Sequence, residues 1–165
     1  GKGHIGVWQR DVRIPEFSPF SLDMSSIVPA HIITDDPEED DVFRSHDLHL
    51  VPNPSVRFRR SKPVYVYFEV YNLTPSDQGI TSFVVEYTIS PARKQKRRKR
   101  LSLFGDRRKP STMLTVERQT EAPVSKEYVS LDLSRVGKGD FRLSIRVRDL
   151  NSGDDRERAV DLTLY

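Results

Sequence analysis

The chain contains no cysteine. That excludes a disulfide framework, a thiolate metal site and a thiol nucleophile, and it leaves the compartment open. No apolar run approaches 18 residues, so no segment is a candidate transmembrane helix. No stretch shows a 3.6-residue apolar period with caps, so little helix is expected. A Gly-x-Ser-x-Gly elbow, a phosphate-cradling glycine loop and carboxylates paired at a recognisable spacing are also missing. The expectation is a protein without catalytic residues, metal or cofactor. Gly1 is no natural start, so the chain reads as a mature form or an excised domain.

What is present is strongly segregated charge. The formal net charge is +3. The stretch "ARKQKRRKRLSLFGDRRK" at 92–109 holds ten bases against Asp106, and "DDPEEDD" at 35–41 holds six acids. Of the 27 bases and 24 acids in the chain, removing both stretches leaves 17 of each. The body is neutral, and the basic balance belongs to one insertion.

Alternation dominates the rest. In "VYVYFEVYNL" the residues Val64, Val66, Phe68 and Val70 alternate with Tyr65, Tyr67, Glu69 and Tyr71. Period two with β-branched and aromatic residues predicts a half-buried strand. The same pattern places Phe83, Val85, Tyr87 and Ile89 on one face, then Val129, Leu131 and Leu133. Phe141, Leu143, Ile145 and Val147 follow, and finally Val160, Leu162 and Leu164. Shorter candidate strands lie at 5–14, 20–28, 47–51, 55–59 and 111–118. "TPSDQG", "GKGD" and "NSGDD" supply turn chemistry between strands. The expected fold is all-β: one antiparallel β-sandwich of about eight strands over 1–165, with charged loops at 34–46 and 92–110.

The closing pattern, a strand corner, "GDFRLSIRVRDLNSG" and a last strand, resembles the end of a bacterial immunoglobulin-like domain. Phe141 stands at the corner aromatic of such domains, and Leu143 where antibody domains carry their second cysteine. A longer stretch, "LVPNPSVRFRRSKPVYVYFEVYNLTPSDQGITSFVVEYTI" with "LDLSRVGKGDFRLSIRVRDLNSG" and the upstream "MSSIVPAHI", resembles the C-terminal β-sandwich region of bacterial GWxTD-domain proteins. The resemblance covers about two thirds of the chain. The Gly-Trp-x-Thr-Asp motif itself is absent, since "GVWQRD" has the Trp and an Asp at another spacing. The resemblance implies an extracytoplasmic protein of the envelope, periplasm or secreted fraction, and it carries over no catalytic residue.

Four constellations invite a function. The basic run Arg93, Lys94, Lys96, Arg97, Arg98, Lys99 and Arg100, continued to Lys109, suits non-specific binding of an anionic surface or polyanion. Nucleic acid is disfavoured, because no aromatic lies within 93–100 to stack a base and Phe104 stands alone. Mutual repulsion favours reading the run as a solvated connection, mobile or held only by acids, over that binding role. The acids Asp35, Asp36, Glu38, Glu39, Asp40 and Asp41 are hard oxygen ligands suited to calcium, but they lack EF-hand spacing and the glycine of its turn. His46 and His49 are three apart, which on a strand is opposite faces and poor zinc geometry.

The last constellation comes from pairing. With 64–72 as immunoglobulin strand C and 140–149 as strand F, the two are neighbours. Their outer residues Tyr65, Tyr67, Glu69 and Tyr71 then lie beside Arg142, Ser144, Arg146 and Arg148. Tyrosine and arginine favour interfaces, so Tyr65, Tyr67, Tyr71, Arg142, Arg146 and Arg148 form a candidate partner face. Ordinary cross-strand pairing on a solvated sheet is the competing reading. The function expected is a non-catalytic interaction or spacing module that docks a neighbouring domain or a protein partner, with polyanion binding through 93–109 as the alternative.

Overall fold

The computed structural model describes residues 20–35, 37, 38, 40–92 and 112–165. The basic residues Arg93 to Lys109 and the strand expected at 5–14 lie outside the described residues. Those described contain strands and turns. Among them no helix is long and apolar enough to cross a membrane. The strands are β1 (Asp23–Met24), β2 (Val28–Asp35), β3 (Arg44–Ser45), β4 (Leu48–Pro52), β5 (Arg57–Phe58), β6 (Val64–Tyr71), β7 (Thr81–Pro91), β8 (Thr112–Thr120), β9 (Ser125–Leu131), β10 (Gly139–Asp149) and β11 (Asp155–Leu164). They form two sheets. In the first, β6 pairs β9 along one edge and both β1 and β2 along the other, and β4 and β3 extend outward from β2. The second runs β5-β11-β10-β7-β8, with every pairing antiparallel except β5 with β11.

The alternating rows explain why two layers form. Each strand needs one face out of water, and the rows Val64–Val70, Phe83–Ile89 and Phe141–Val147 meet between the sheets with Leu162 and Leu164. Phe68 of β6 meets Tyr87 of β7 edge to face, with ring centroids 6.3 Å apart. Burial of each large side chain there contributes about 1.5–3 kcal/mol. Charge closes the two margins of the sandwich. Arg118 of β8 reaches Glu127 of β9 at 3.1 Å. On the other side Arg158 holds Asp23 at 2.9 Å, and the Arg156 guanidinium donates to the Leu22 carbonyl at 2.8 Å.

Two expectations are corrected. Strands 64–72 and 140–149 are not neighbours: β6 pairs β9, β1 and β2, whereas β10 pairs β7 and β11 in the other sheet. Tyr65, Tyr67 and Tyr71 therefore face out from one side of the sandwich, and Arg142, Arg146 and Arg148 from the other. Alternation identifies which residues face the core, but it does not say which strand lies alongside. The second correction concerns the expected loop at 34–46, because strand β2 runs to Asp35 and β3 occupies Arg44–Ser45. A register shift between Ala30 and Ile32 breaks the period of "VPAHIITD", so its strand character is hidden from alternation.

The far end of the sandwich is fixed by one carboxylate. Asp149, fully buried, accepts backbone N–H groups from Thr74 and Asn151 at 2.8 Å and from Ser152 at 3.3 Å. Asn151 in turn donates to the carbonyls of Thr74 and Ile80, tying the β10–β11 turn to the β6–β7 connection. Burial pushes the Asp149 carboxyl up, but the N–H donors outweigh it and hold it below its ordinary value. A carboxyl depressed in the folded state stabilises above its unfolded value of about 3.9, and that stability is lost as pH falls through the folded value. Asp149→Asn is expected to lower the unfolding free energy at neutral pH by about 2 kcal/mol, a gap that narrows once pH drops below about 4. Urea denaturation at several pH values measures this; an unchanged midpoint at neutral pH would contradict it.

Candidate functional site

The outer face of the first sheet is built by β6. Its alternation sends Tyr65, Tyr67, Glu69 and Tyr71 away from the core, and β9 adds Lys126, Tyr128 and Ser130 directly opposite Glu69, Tyr67 and Tyr65. Strand β2 follows β6 only over Val28–Ala30. Beyond its bulge it pairs β4, and the sheet curls toward this face. Ala30, Ile33, Leu48 and Leu50 form a second buried cluster with Tyr67, which is only 6% exposed although it points away from the main core. Tyr128 confirms the curl: from β9 it reaches past β6 to donate to both Asp35 oxygens, at 2.9 and 3.0 Å.

Polar groups on this face are tied to one another. The Tyr67 hydroxyl donates to Glu69 Oε1 at 2.6 Å and the Tyr71 hydroxyl to Oε2 at 2.8 Å, so one carboxylate is clamped by two phenols. Burial pushes the Glu69 carboxyl up, yet the two hydroxyls, with the charges of His46 and Lys126 nearby, hold it below its ordinary value. Burial and the same carboxylate push both phenols upward, Tyr71 to about 12 and Tyr67 further. Beside them the β3–β4 hairpin is locked by Asp41. Its Oδ1 accepts the Phe43 N–H at 2.8 Å and its Oδ2 meets His49 Nδ1 at 2.5 Å. The His49 contact is the main reason the Asp41 carboxyl sits low. Phe43 stands edge-on to the His49 ring at 6.2 Å. Val42 and Phe43 themselves are 88% and 45% exposed.

The expected site residues divide accordingly. Tyr65, Tyr67 and Tyr71 share this face. Arg142 and Arg146 lie on the opposite side of the sandwich, where Arg142 grips Asp161 at 2.8 Å and Arg146 grips Asp155 at 2.9 Å. Exposed pairs of this kind are screened by solvent and contribute little to stability. Arg148 is exposed in the same row. The basic residues Arg93, Lys94, Lys96, Arg97, Arg98, Lys99 and Arg100 lie outside the described residues, as do Asp36 and Glu39. Of the acids that are described, Asp35 and Asp41 are engaged by Tyr128 and His49, and Glu38 and Asp40 are exposed. Among the described residues no group of three or more His, Asp or Glu could hold a metal ion. The clamping role of Glu69 was open to sequence reading, since Tyr-x-Glu-x-Tyr on a strand places all three side chains on one face. Tyr128 and Asp35 come together only through the curl.

No protein-family model and no curated protein matches the chain. The surface must be interpreted from its own chemistry. Glu69→Gln removes the charge shared by both phenols and is expected to bring Tyr71 down from about 12 toward the ordinary value of about 10. A phenol raised in the folded state stabilises fully below its unfolded value of about 10, and that stability is lost as pH rises through the folded value of about 12. Tyrosinate absorbance followed through an alkaline titration reads both effects, and identical curves for the two proteins would remove the clamp from the account.

Proposed function

We propose that the chain is a non-catalytic interaction module of immunoglobulin-like β-sandwich type. It docks a protein partner or a neighbouring domain through the outer face of the first sheet. One observation carries this: partly exposed tyrosines fixed before any partner arrives, Tyr71 held by Glu69 and Tyr128 by Asp35, on a sheet that also exposes Val42 and Phe43 just before β3. Tyrosine and phenylalanine are enriched at interfaces, and side chains already ordered lose little entropy on binding.

Strand order supports the immunoglobulin-like reading. β6 sits between β2 and β9 as strand B sits between A and E, and β8-β7-β10-β11 follows the order C′-C-F-G. β5 adds a short parallel pairing on the outer side of β11. On this reading β6 is strand B and β7 is strand C, which accounts for the misplaced neighbour. Phe141 and Leu143 lie buried on β10, the strand in position F. The bacterial envelope or secreted setting rests on the resemblance to GWxTD-domain proteins.

A photo-crosslinking residue at position 43, introduced into the protein in the cells that make it, is expected to trap a discrete partner. The same residue at 157, on the outer face of the second sheet, is expected to trap none. Val42→Asp with Phe43→Asp should abolish the adduct formed from a crosslinker at 128 and leave the thermal midpoint unchanged. Equal labelling from 43 and 157 would remove the face from consideration. Salt-dependent retention on an anionic matrix, lost only when 93–100 are neutralised, would favour polyanion binding instead.

A further inference from the structure

The segment "NPSVRFRRSKP" at 53–63 has no part in the surface just described, yet it holds the one β-branched residue with a positive φ among the described residues. Val56 adopts φ +49°. A β-branched residue in the left-handed region is a true outlier, costing on the order of 1–3 kcal/mol, and such strain persists only where the surroundings enforce it. Here they do. Buried Asn53 donates from its amide to the Arg57 carbonyl at 2.9 Å and accepts the Ser55 hydroxyl at 2.6 Å, while its own carbonyl takes the Val56 N–H at 3.1 Å. The Thr163 N–H bonds the Val56 carbonyl at 2.9 Å, fastening the strained turn to β11. The result is a fixed presentation of β5 and the bases that follow it.

These bases line a cavity of about 220 Å³ bounded by His31, Arg57, Phe58, Arg59, Lys62, Pro63 and Tyr165. Phe58 is the buried floor. His31 stands at the bulge of β2, between Ala30 and Ile32, and its ring lies 6.1 Å from that of Phe58. A bulge is a device for re-aiming a side chain. Arg57 lies over the Tyr165 ring at 5.7 Å. No Asp or Glu side chain lines the cavity. Among the described residues Arg57, Arg59 and Lys62 form no ion pair, whereas Arg118, Arg142, Arg146 and Arg158 each hold a carboxylate. Next to the cavity Arg60 donates to the Ser134 carbonyl and leaves a buried Nε without a partner.

We propose that this groove binds the phosphate or sulfate ester group of a small ligand. Arg57, Arg59 and Lys62 supply the charge, and Tyr165 with Phe58 supplies a ring-faced wall. Arginine meets such tetrahedral oxyanions with paired N–H donors. Ligand sites for whole small molecules measure about 300–1,000 Å³, so this cavity suits a headgroup whose remainder stays in solvent.

The test is an amide and arginine side-chain NMR titration of the full chain at low salt, with inorganic phosphate, inorganic sulfate, phenyl phosphate and acetate as probes. Phosphate and sulfate are expected to produce saturable shifts at His31, Arg57, Phe58, Arg59, Lys62 and Tyr165. Phenyl phosphate should bind more tightly than phosphate, because its ring meets the aromatic wall. Arg59→Glu with Lys62→Glu should weaken binding by about tenfold or more, two charge-assisted contacts being lost, with the unfolding midpoint unchanged. Neutralising 93–100 should leave it intact. Shifts spread evenly over Lys138, Arg148 and other exposed bases would overturn the proposal. So would acetate binding as tightly as phosphate, or saturable binding that survives the double substitution.

Discussion

Strand β6 is buried along its inner face and, at Tyr67, on its outer face as well, and the rest of the molecule is arranged around that fact. Its inward row of Val64, Val66, Phe68 and Val70 forms one wall of the main core. Its outward Tyr67 is sealed by a second cluster with Ala30, Ile33, Leu48 and Leu50. Both of its edges are paired as well, to β9 on one side and to β1 and β2 on the other. A tyrosine can occupy such a position because its ring is apolar and its hydroxyl has a partner in Glu69. The carboxylate is stabilised in turn by a second hydroxyl, from Tyr71. Burial of the ring thus depends on the polar clamp, and the clamp depends on the ring being held in place.

The curl that seals Tyr67 also gives the molecule its two unlike surfaces. Turning β2 away from β6 needs one extra residue, and the shift falls between Ala30 and Ile32. On the concave side this brings Asp35 to Tyr128 and sets the β3–β4 hairpin, pinned by Asp41, beside the tyrosines. At the bulge itself His31 lines the cavity bounded by Arg57, Arg59 and Lys62. Acids and phenols therefore gather on one side of β2, and unpaired bases at its margin. The outer face of the second sheet differs from both, with Arg142 and Arg146 already neutralised by Asp161 and Asp155.

Much of the fold was legible in the sequence where a strand has one wet face and one dry one. "VYVYFEVY", "TSFVVEYTI" and "DFRLSIRV" each announce their inward residues, and the core contains those residues. What alternation does not encode is the neighbour. The periods of β6 and β10 match equally well whether the strands lie in one sheet or in two sheets that share a core, and they lie in two. Strand β2 was hidden for a different reason: the bulge puts Ala30 and Ile33, three residues apart, into one cluster, so its apolar residues do not alternate. The tyrosine row was visible, but its arginine partners were assigned to the wrong sheet. The groove was invisible, because "RFRRSKP" becomes a site only when Val56 is forced to a positive φ and the chain end of β11 is laid beside it.

Native-state hydrogen exchange of the backbone amides tests the central claim most directly. Exchange of the most protected amides requires global unfolding, whereas edge strands open locally. If β6 is the element on which both clusters depend, its amides from Val64 to Val70 will fall in the slowest class, with those of β10, and the amides of β8 at the margin of the second sheet will exchange faster. Amides of β6 that exchange as fast as those of β8 would contradict the account.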